Sequence, residues 1–129
     1  MIIEKLSPNY GGLIKPEIIV LHHTAGANSL GWLTNRESGV SAHFLISRDG
    51  TTYQLVRSNM KAFHAGVSTY YGRENVNNFS IGIEHENWGR LSKDRLSYTG
   101  KKVENIYKAP DGSLWEAYSK EQLLESYML

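Results

Sequence analysis

The stretch Glu17-Ile18-Ile19-Val20-Leu21-His22-His23-Thr24-Ala25-Gly26 governs the reading of this chain, because an apolar, β-branched run ends in two imidazoles and a small, open loop. A short continuous run of this kind, entered from Pro16, predicts a strand buried on both faces. At the end of such a strand a neutral imidazole nitrogen can reach a metal ion, while a hydrogen bond to the other ring nitrogen fixes the ring's orientation. Adjacent strand residues face opposite ways, so one of His22 and His23 can serve a given site. Taken by itself, the dipeptide also fits one buried and one exposed structural histidine.

Working outward, Asn28 to Arg36 carries Leu30, Trp32 and Leu33 and predicts a short helix weakened by Gly31. Ser41-Ala42-His43-Phe44-Leu45-Ile46-Ser47 and Thr51-Thr52-Tyr53-Gln54-Leu55-Val56 predict two strands joined by a hairpin turn at Asp49-Gly50. Residues 57 to 78 have no clear period and predict a long irregular loop, which in a compact domain is more often functional than idle. Phe79-Ser80-Ile81-Gly82-Ile83-Glu84-His85-Glu86 predicts a fourth strand, with Ile81, Ile83 and His85 on one face and Glu84 and Glu86 on the other. Asp111-Gly112 lies between two apolar-rich segments and predicts an inserted hairpin. Ser119 and Gln122 make a capping-box pattern, so a helix should start near Ser119 and carry Leu123, Leu124, Tyr127 and Met128 at helical spacing. The chain ends within that stripe without a stop signal, so the sequence reads as cut rather than finished.

Composition narrows the chemistry. The chain has 129 residues, enough for a single domain with its own core. Fourteen basic and thirteen acidic side chains leave a formal charge of +1, which gives no footprint for nucleic acid. No apolar run approaches the roughly 18 residues of a membrane span, and no secretory signal opens the sequence, so the expected place of synthesis and residence is the cytoplasm. Without cysteine, a transition metal must be held by histidine or carboxylate.

Three further residues bear on function. His43 alternates with small and apolar neighbours in a strand, which suits a packed histidine as well as a substrate contact. His64, in the loop segment His64-Ala65-Gly66, is placed to line a cleft and touch substrate or a developing oxyanion. Glu84 sits among apolar strand residues, where burial raises a carboxylate pKa towards the range useful for acid–base catalysis; a solvated strand-face glutamate is the competing reading.

Four segments together resemble the amidase-2 family: Ile19-Val20-Leu21-His22-His23-Thr24-Ala25, Val40 to Gly50, His64-Ala65-Gly66-Val67-Ser68, and Asn78-Phe79-Ser80-Ile81-Gly82-Ile83-Glu84. The family joins phage lysozyme-type amidases, cytosolic anhydro-muropeptide amidases and peptidoglycan recognition proteins. The resemblance implies an α/β (α+β) fold with a mixed central β-sheet flanked by helices, over residues 1–129 as one domain. It implies a zinc-dependent N-acetylmuramoyl-L-alanine amidase that cuts peptidoglycan or its muropeptides between N-acetylmuramic acid and L-alanine. His22 then becomes a zinc ligand and Glu84 the residue that activates water, with His64 and His43, from their own placement, as the candidate substrate-binding residues. One Zn²⁺ is expected. Ala42 stands where some relatives carry a catalytic tyrosine, which places the chain with the glutamate-using branch. The family's second histidine and following aspartate or cysteine have no counterpart, so a single protein ligand can be assigned and the C-terminal part of the family domain is expected to be missing.

Two settings fit these expectations, a cytosolic recycling enzyme and a phage lysin released to the wall by a holin. A binding module of the same fold is the alternative, gripping muropeptide with aromatic residues such as Tyr70, Tyr71 and Trp88. A small α+β interaction domain with incidental histidines is the reading outside the family.

Overall fold

The computed structural model describes all residues from Met1 to Leu129. In chain order the elements are β1 (Ile2–Glu4), β2 (Tyr10–Leu13), β3 (Ile18–His23), α1 (Ser29–Leu33), β4 (Phe44–Ile46), β5 (Thr52–Gln54) and β6 (Met60–Ala62). They continue as β7 (Thr69–Tyr70), β8 (Arg73–Glu74), β9 (Ser80–His85), β10 (Arg90–Leu91), β11 (Ile106–Lys108), β12 (Leu114–Glu116) and α2 (Lys120–Met128). Short 3₁₀ turns occupy Arg36–Ser38 and Val76–Asn78.

Five strands form the central mixed sheet in the order β1-β5-β4-β9-β3. The hairpin at Asp49-Gly50 forms as expected: β4 and β5 pair antiparallel, Gly50 takes φ +88°, and the Thr51 amide donates to Asp49 Oδ1 at 2.9 Å. Strand β9 lies between β4 and β3, parallel to both. Leu33, Leu45 and Leu55 make the buried apolar cluster, joined by the partly buried Leu30 and Tyr53.

The structure corrects several expectations. Strand β3 is an edge strand, not one buried on both faces: Ile19 and Leu21 are 64% and 62% exposed, whereas Ile18, Val20 and His22 face inward. A β-branched run records strand propensity but not whether a layer covers each face. The 57–78 segment is also more ordered than its lack of period suggested, since it holds β6, which pairs with β2, and the two-residue strands β7 and β8. Neither β1 nor β2 was anticipated from the sequence.

Helix α2 starts at the predicted capping box, with Ser119 Oγ accepting from the Gln122 amide at 3.0 Å and Gln122 Oε1 from the Ser119 amide at 3.2 Å. It does not dock by the predicted apolar stripe. Leu123, Leu124, Tyr127 and Met128 are all exposed, and Gln122 is the buried residue, its amide donating to the Ile46 and Glu86 carbonyls at 3.1 and 2.8 Å. The helix is thus fastened to the end of the sheet by a buried side-chain amide that donates to two backbone carbonyls, of which Ile46 also accepts from the Glu86 amide. The inserted hairpin also forms, with β12 between β10 and β11.

Candidate active-site cleft

The parallel register of β3 and β9 places His22 opposite Glu84 and Val20 opposite Gly82. Cross-strand partners share a face, so His22, Glu84, Gly82 and Ser80 project to one side, while His85, Ile83, Leu21 and Ile19 project to the other. A cleft of about 1020 Å³ opens on the first side. Its wall includes the loop from Thr24 to Ser29, and Trp32, Phe63, His64, Asn77, Glu84 and Tyr98 contribute further surface. Two residues of this loop, Ala25 and Asn28, hold left-handed backbone at φ 56° and 54°, a conformation that L-residues adopt at a cost and that clusters at functional sites.

Glu84 combines burial with an empty hydrogen-bonding position. Oε1 is buried without a partner, and desolvation pushes the carboxyl pKa up to about 7. A group with that pKa exchanges protons readily at neutral pH.

The imidazoles form a directed chain. Ser80 Oγ lies 2.7 Å from the Val76 carbonyl and therefore donates its proton there. The same oxygen, 2.9 Å from His64 Nε2, accepts a proton from that nitrogen. Burial holds His64 at a pKa of about 4, so the ring is neutral and its Nδ1 is an acceptor. His22 Nε2, 2.9 Å away, must then be the donor, which leaves His22 Nδ1 as the ring's free lone pair. Desolvation also lowers the His22 pKa and keeps this ring neutral.

Glycine 82 makes the chain possible. A Cβ at this position would fall 2.3 Å from His64 Cγ, so the ring lies directly on the backbone of β9. A glycine inside a strand is a recognised mark of close approach, and Gly82 in the Ile81-Gly82-Ile83-Glu84 segment is the sequence signal for this contact. Ser80 had no comparable signal, because its role depends on the loop that brings His64 across the sheet.

His43 departs from its expected place at the substrate. It is fully buried; the Gly82 amide donates to Nδ1 at 3.0 Å and Nε2 donates to the Met60 carbonyl at 2.8 Å. Both nitrogens are spent on joining β6 to β9, so no atom is left for a ligand. His64 does line the cleft, but with both nitrogens engaged it acts on its surroundings through His22. His85 supports the same strand from behind, donating from Nδ1 to the His22 carbonyl at 3.0 Å and accepting from Ser126 Oγ at Nε2.

The residues present do not make a complete zinc site. No group of three histidine or carboxylate side chains converges anywhere in the chain, whereas zinc centres normally use three or four protein ligands. The nitrogen these contacts leave open for a metal is His22 Nδ1, on the strand rung opposite Glu84.

Comparison with known proteins identifies the fold and the family. The chain is 49% identical over 67 residues to 1,6-anhydro-N-acetylmuramyl-L-alanine amidase AmpD of Citrobacter freundii, a match covering 52% of this chain and 33% of AmpD. The aligned stretch thus spans about a third of that relative's length. A crystal structure of a selenomethionine AmpD derivative superposes with a TM-score of 0.66 at 28% identity, covering 96% of this chain and 68% of the other. The complex of E. coli AmiD with anhydro-N-acetylmuramic acid-L-Ala-D-γ-Glu-L-Lys superposes with a TM-score of 0.62 at 25% identity, covering 95% and 43%. The family model for N-acetylmuramoyl-L-alanine amidase matches residues 13–126, and the chain belongs to that family, Amidase_2.

Proposed function

We propose that the cleft takes the muramyl end of a muropeptide and that Glu84 serves hydrolysis of the amide between the lactyl group of N-acetylmuramic acid and L-alanine. The observation that carries this reading is the unpartnered, buried oxygen of Glu84 in the cleft wall, with a carboxyl pKa of about 7 and with His22 opposite it on the neighbouring strand. In the reaction the ionised carboxylate takes a proton from water as its oxygen bonds to the amide carbon. It returns that proton to the nitrogen as the C–N bond breaks, freeing the L-alanine amine. His64 and Ser80 hold His22 in one tautomer, and His43 keeps β6 and β9 together beneath it.

Amidases of this family are generally zinc-dependent, and zinc acidifies bound water and polarises a carbonyl. We assign His22 to that ion as its contribution from this chain. A second reading, a muropeptide-binding module of low activity, is supported by the absence of a three-ligand cluster. Two settings suit either reading, the cytoplasm or the wall after release at lysis.

Release of the stem peptide from a purified muropeptide, followed by mass spectrometry with and without added zinc, tests the assignment. Glu84→Gln should lower turnover by about 10² to 10⁴ while leaving muropeptide binding in place. Binding without turnover in the unaltered chain would select the module. Equal turnover in the Gln variant would remove Glu84 from the chemistry.

A further inference from the structure

The cleft is flanked by two large aromatic side chains that the hydrolytic chemistry does not use. Trp32, on α1, is 59% exposed, and Tyr98, in the segment between β10 and β11, is 74% exposed; both line the same cavity as Glu84. An exposed aromatic ring is unremarkable when isolated, but two on the walls of one cleft offer flat apolar faces to whatever enters it.

Tyr98 is held in position rather than left to wander. It occupies a tight turn in which the Gly100 amide donates to the Ser97 carbonyl at 2.9 Å, and Gly100 takes φ +87°. The buried Ser97 hydroxyl accepts from the Thr99 and Lys101 amides at 3.3 and 3.1 Å, pinning the turn from within. The ring packs edge-on against Trp88, with centroids 5.9 Å apart and planes at 73°. Trp88 in turn faces the Arg48 guanidinium, 5.7 Å from the ring centroid. Arg48 is fixed by two bonds to Glu116, Nε to Oε2 at 2.8 Å and Nη2 to Oε1 at 3.0 Å. A chain of contacts from β12 therefore orients the ring at the cleft, and pre-ordering an aromatic contact reduces the entropy lost when a ligand binds.

The charge of the wall narrows the ligand. None of the residues lining the cavity is lysine or arginine, and besides Glu84 and His64 its polar side chains are the amides Asn28, Asn35 and Asn77 with hydroxyls of Thr24, Ser29, Ser41 and Tyr98. A stem peptide carrying carboxylates finds no cation here. A neutral pyranose finds amides for its hydroxyl groups and aromatic planes for the C–H face of its ring.

We propose that Trp32 and Tyr98 are specificity-determining residues that clasp a sugar ring of the glycan, so that this part of the cleft reads carbohydrate rather than peptide. The inference rests on the amidase reading given above and deepens it. The 90–118 segment thereby becomes part of the binding surface.

Isothermal titration in a Glu84→Gln background, which keeps the substrate uncut, tests it with two probes: a disaccharide-linked stem peptide, and the same stem peptide without sugar. Trp32→Ala and Tyr98→Ala should each weaken the disaccharide-linked probe by about tenfold, and Tyr98→Phe should restore it. Affinity for the sugar-free peptide should stay within about twofold, a difference of a few tenths of a kcal/mol. Unchanged affinity for the disaccharide-linked probe, or an equal loss for both probes, overturns the inference and leaves the amidase reading standing. Failure of the Glu84→Gln chain, with both aromatic residues intact, to bind either probe overturns both. Both side chains are exposed, so the variants should keep the fold, which an unchanged melting temperature checks.

Discussion

Removing the charge at position 84 should change how stability depends on pH, in a direction the structure fixes. The Glu84 carboxyl is raised from 4.5 to about 7 by desolvation. Between those values the folded chain keeps the proton that the unfolded chain has lost, so folding binds protons and stability falls as pH rises. The contribution is complete below about 4.5 and exhausted above about 7. At about 1.4 kcal/mol per pH unit the displacement corresponds to about 3 kcal/mol, or 2–3 kcal/mol after allowance for partial contact with solvent. His22, His43, His64 and His85 act in the opposite sense: burial lowers each pKa, so their contributions are present above the unfolded value of 6.5 and are lost as pH falls. The two trends partly cancel in the wild-type curve, and the informative quantity is the difference between wild type and Glu84→Gln. Urea unfolding of both proteins, metal-free, near pH 5 and near pH 8 should show the variant gaining about 2–3 kcal/mol on wild type as pH rises. An equal difference at both pH values would mean that the carboxyl is not held in a desolvating site, and its assignment as the proton-transferring group would fail with it.

Two other substitutions probe the supporting architecture. Gly82→Ala places a methyl group where His64 lies, so the His22–His64 bond should break at a cost of about 1–3 kcal/mol, visible as altered imidazole nitrogen resonances for both rings; unchanged resonances would refute the directed chain. Gln122→Ala removes two buried donors to backbone carbonyls and half of the helix cap, and should cost about 2–3 kcal/mol in chemical denaturation, whereas Leu124→Ser on the open side of α2 should cost less than about 0.5 kcal/mol.

The parts legible in the sequence were those with a local cause. The Asp49-Gly50 hairpin, the Ser119 capping box and the alternation that separates Glu84 from His85 follow from turn geometry, helix ends and a period of two, and all three are present. The direction of β3 towards a functional loop was legible for the same reason. Its place at the sheet edge was not, because edge position is a property of neighbours. The helix stripe misled in a related way: the spacing of Leu123, Leu124, Tyr127 and Met128 is helical, but the helix docks through the Gln122 amide donating to the Ile46 and Glu86 carbonyls, which no hydrophobic period records. Within the site, His22 and Glu84 stand on one face of the sheet, as a shared role requires. His43 read as either a packed histidine or a substrate contact, and the structure makes it the former, with its nitrogens on the backbone of β9 and β6. Gly82 within a strand marks a close approach, but that His64 makes it and meets Ser80 was not legible, because it depends on a loop crossing the sheet.

The register of β3 against β9 has a consequence for how this protein can be altered. Since His22 and Glu84 stand opposite each other on one rung of the ladder, the spacing of their backbones is the interstrand repeat of about 4.8 Å, set by main-chain geometry and not by any side chain nearby. Segments that rise above the sheet can therefore be exchanged or grafted to change what is captured, while the backbones of His22 and Glu84 keep their separation. A scaffold of this type divides labour between an invariant ruler and replaceable walls.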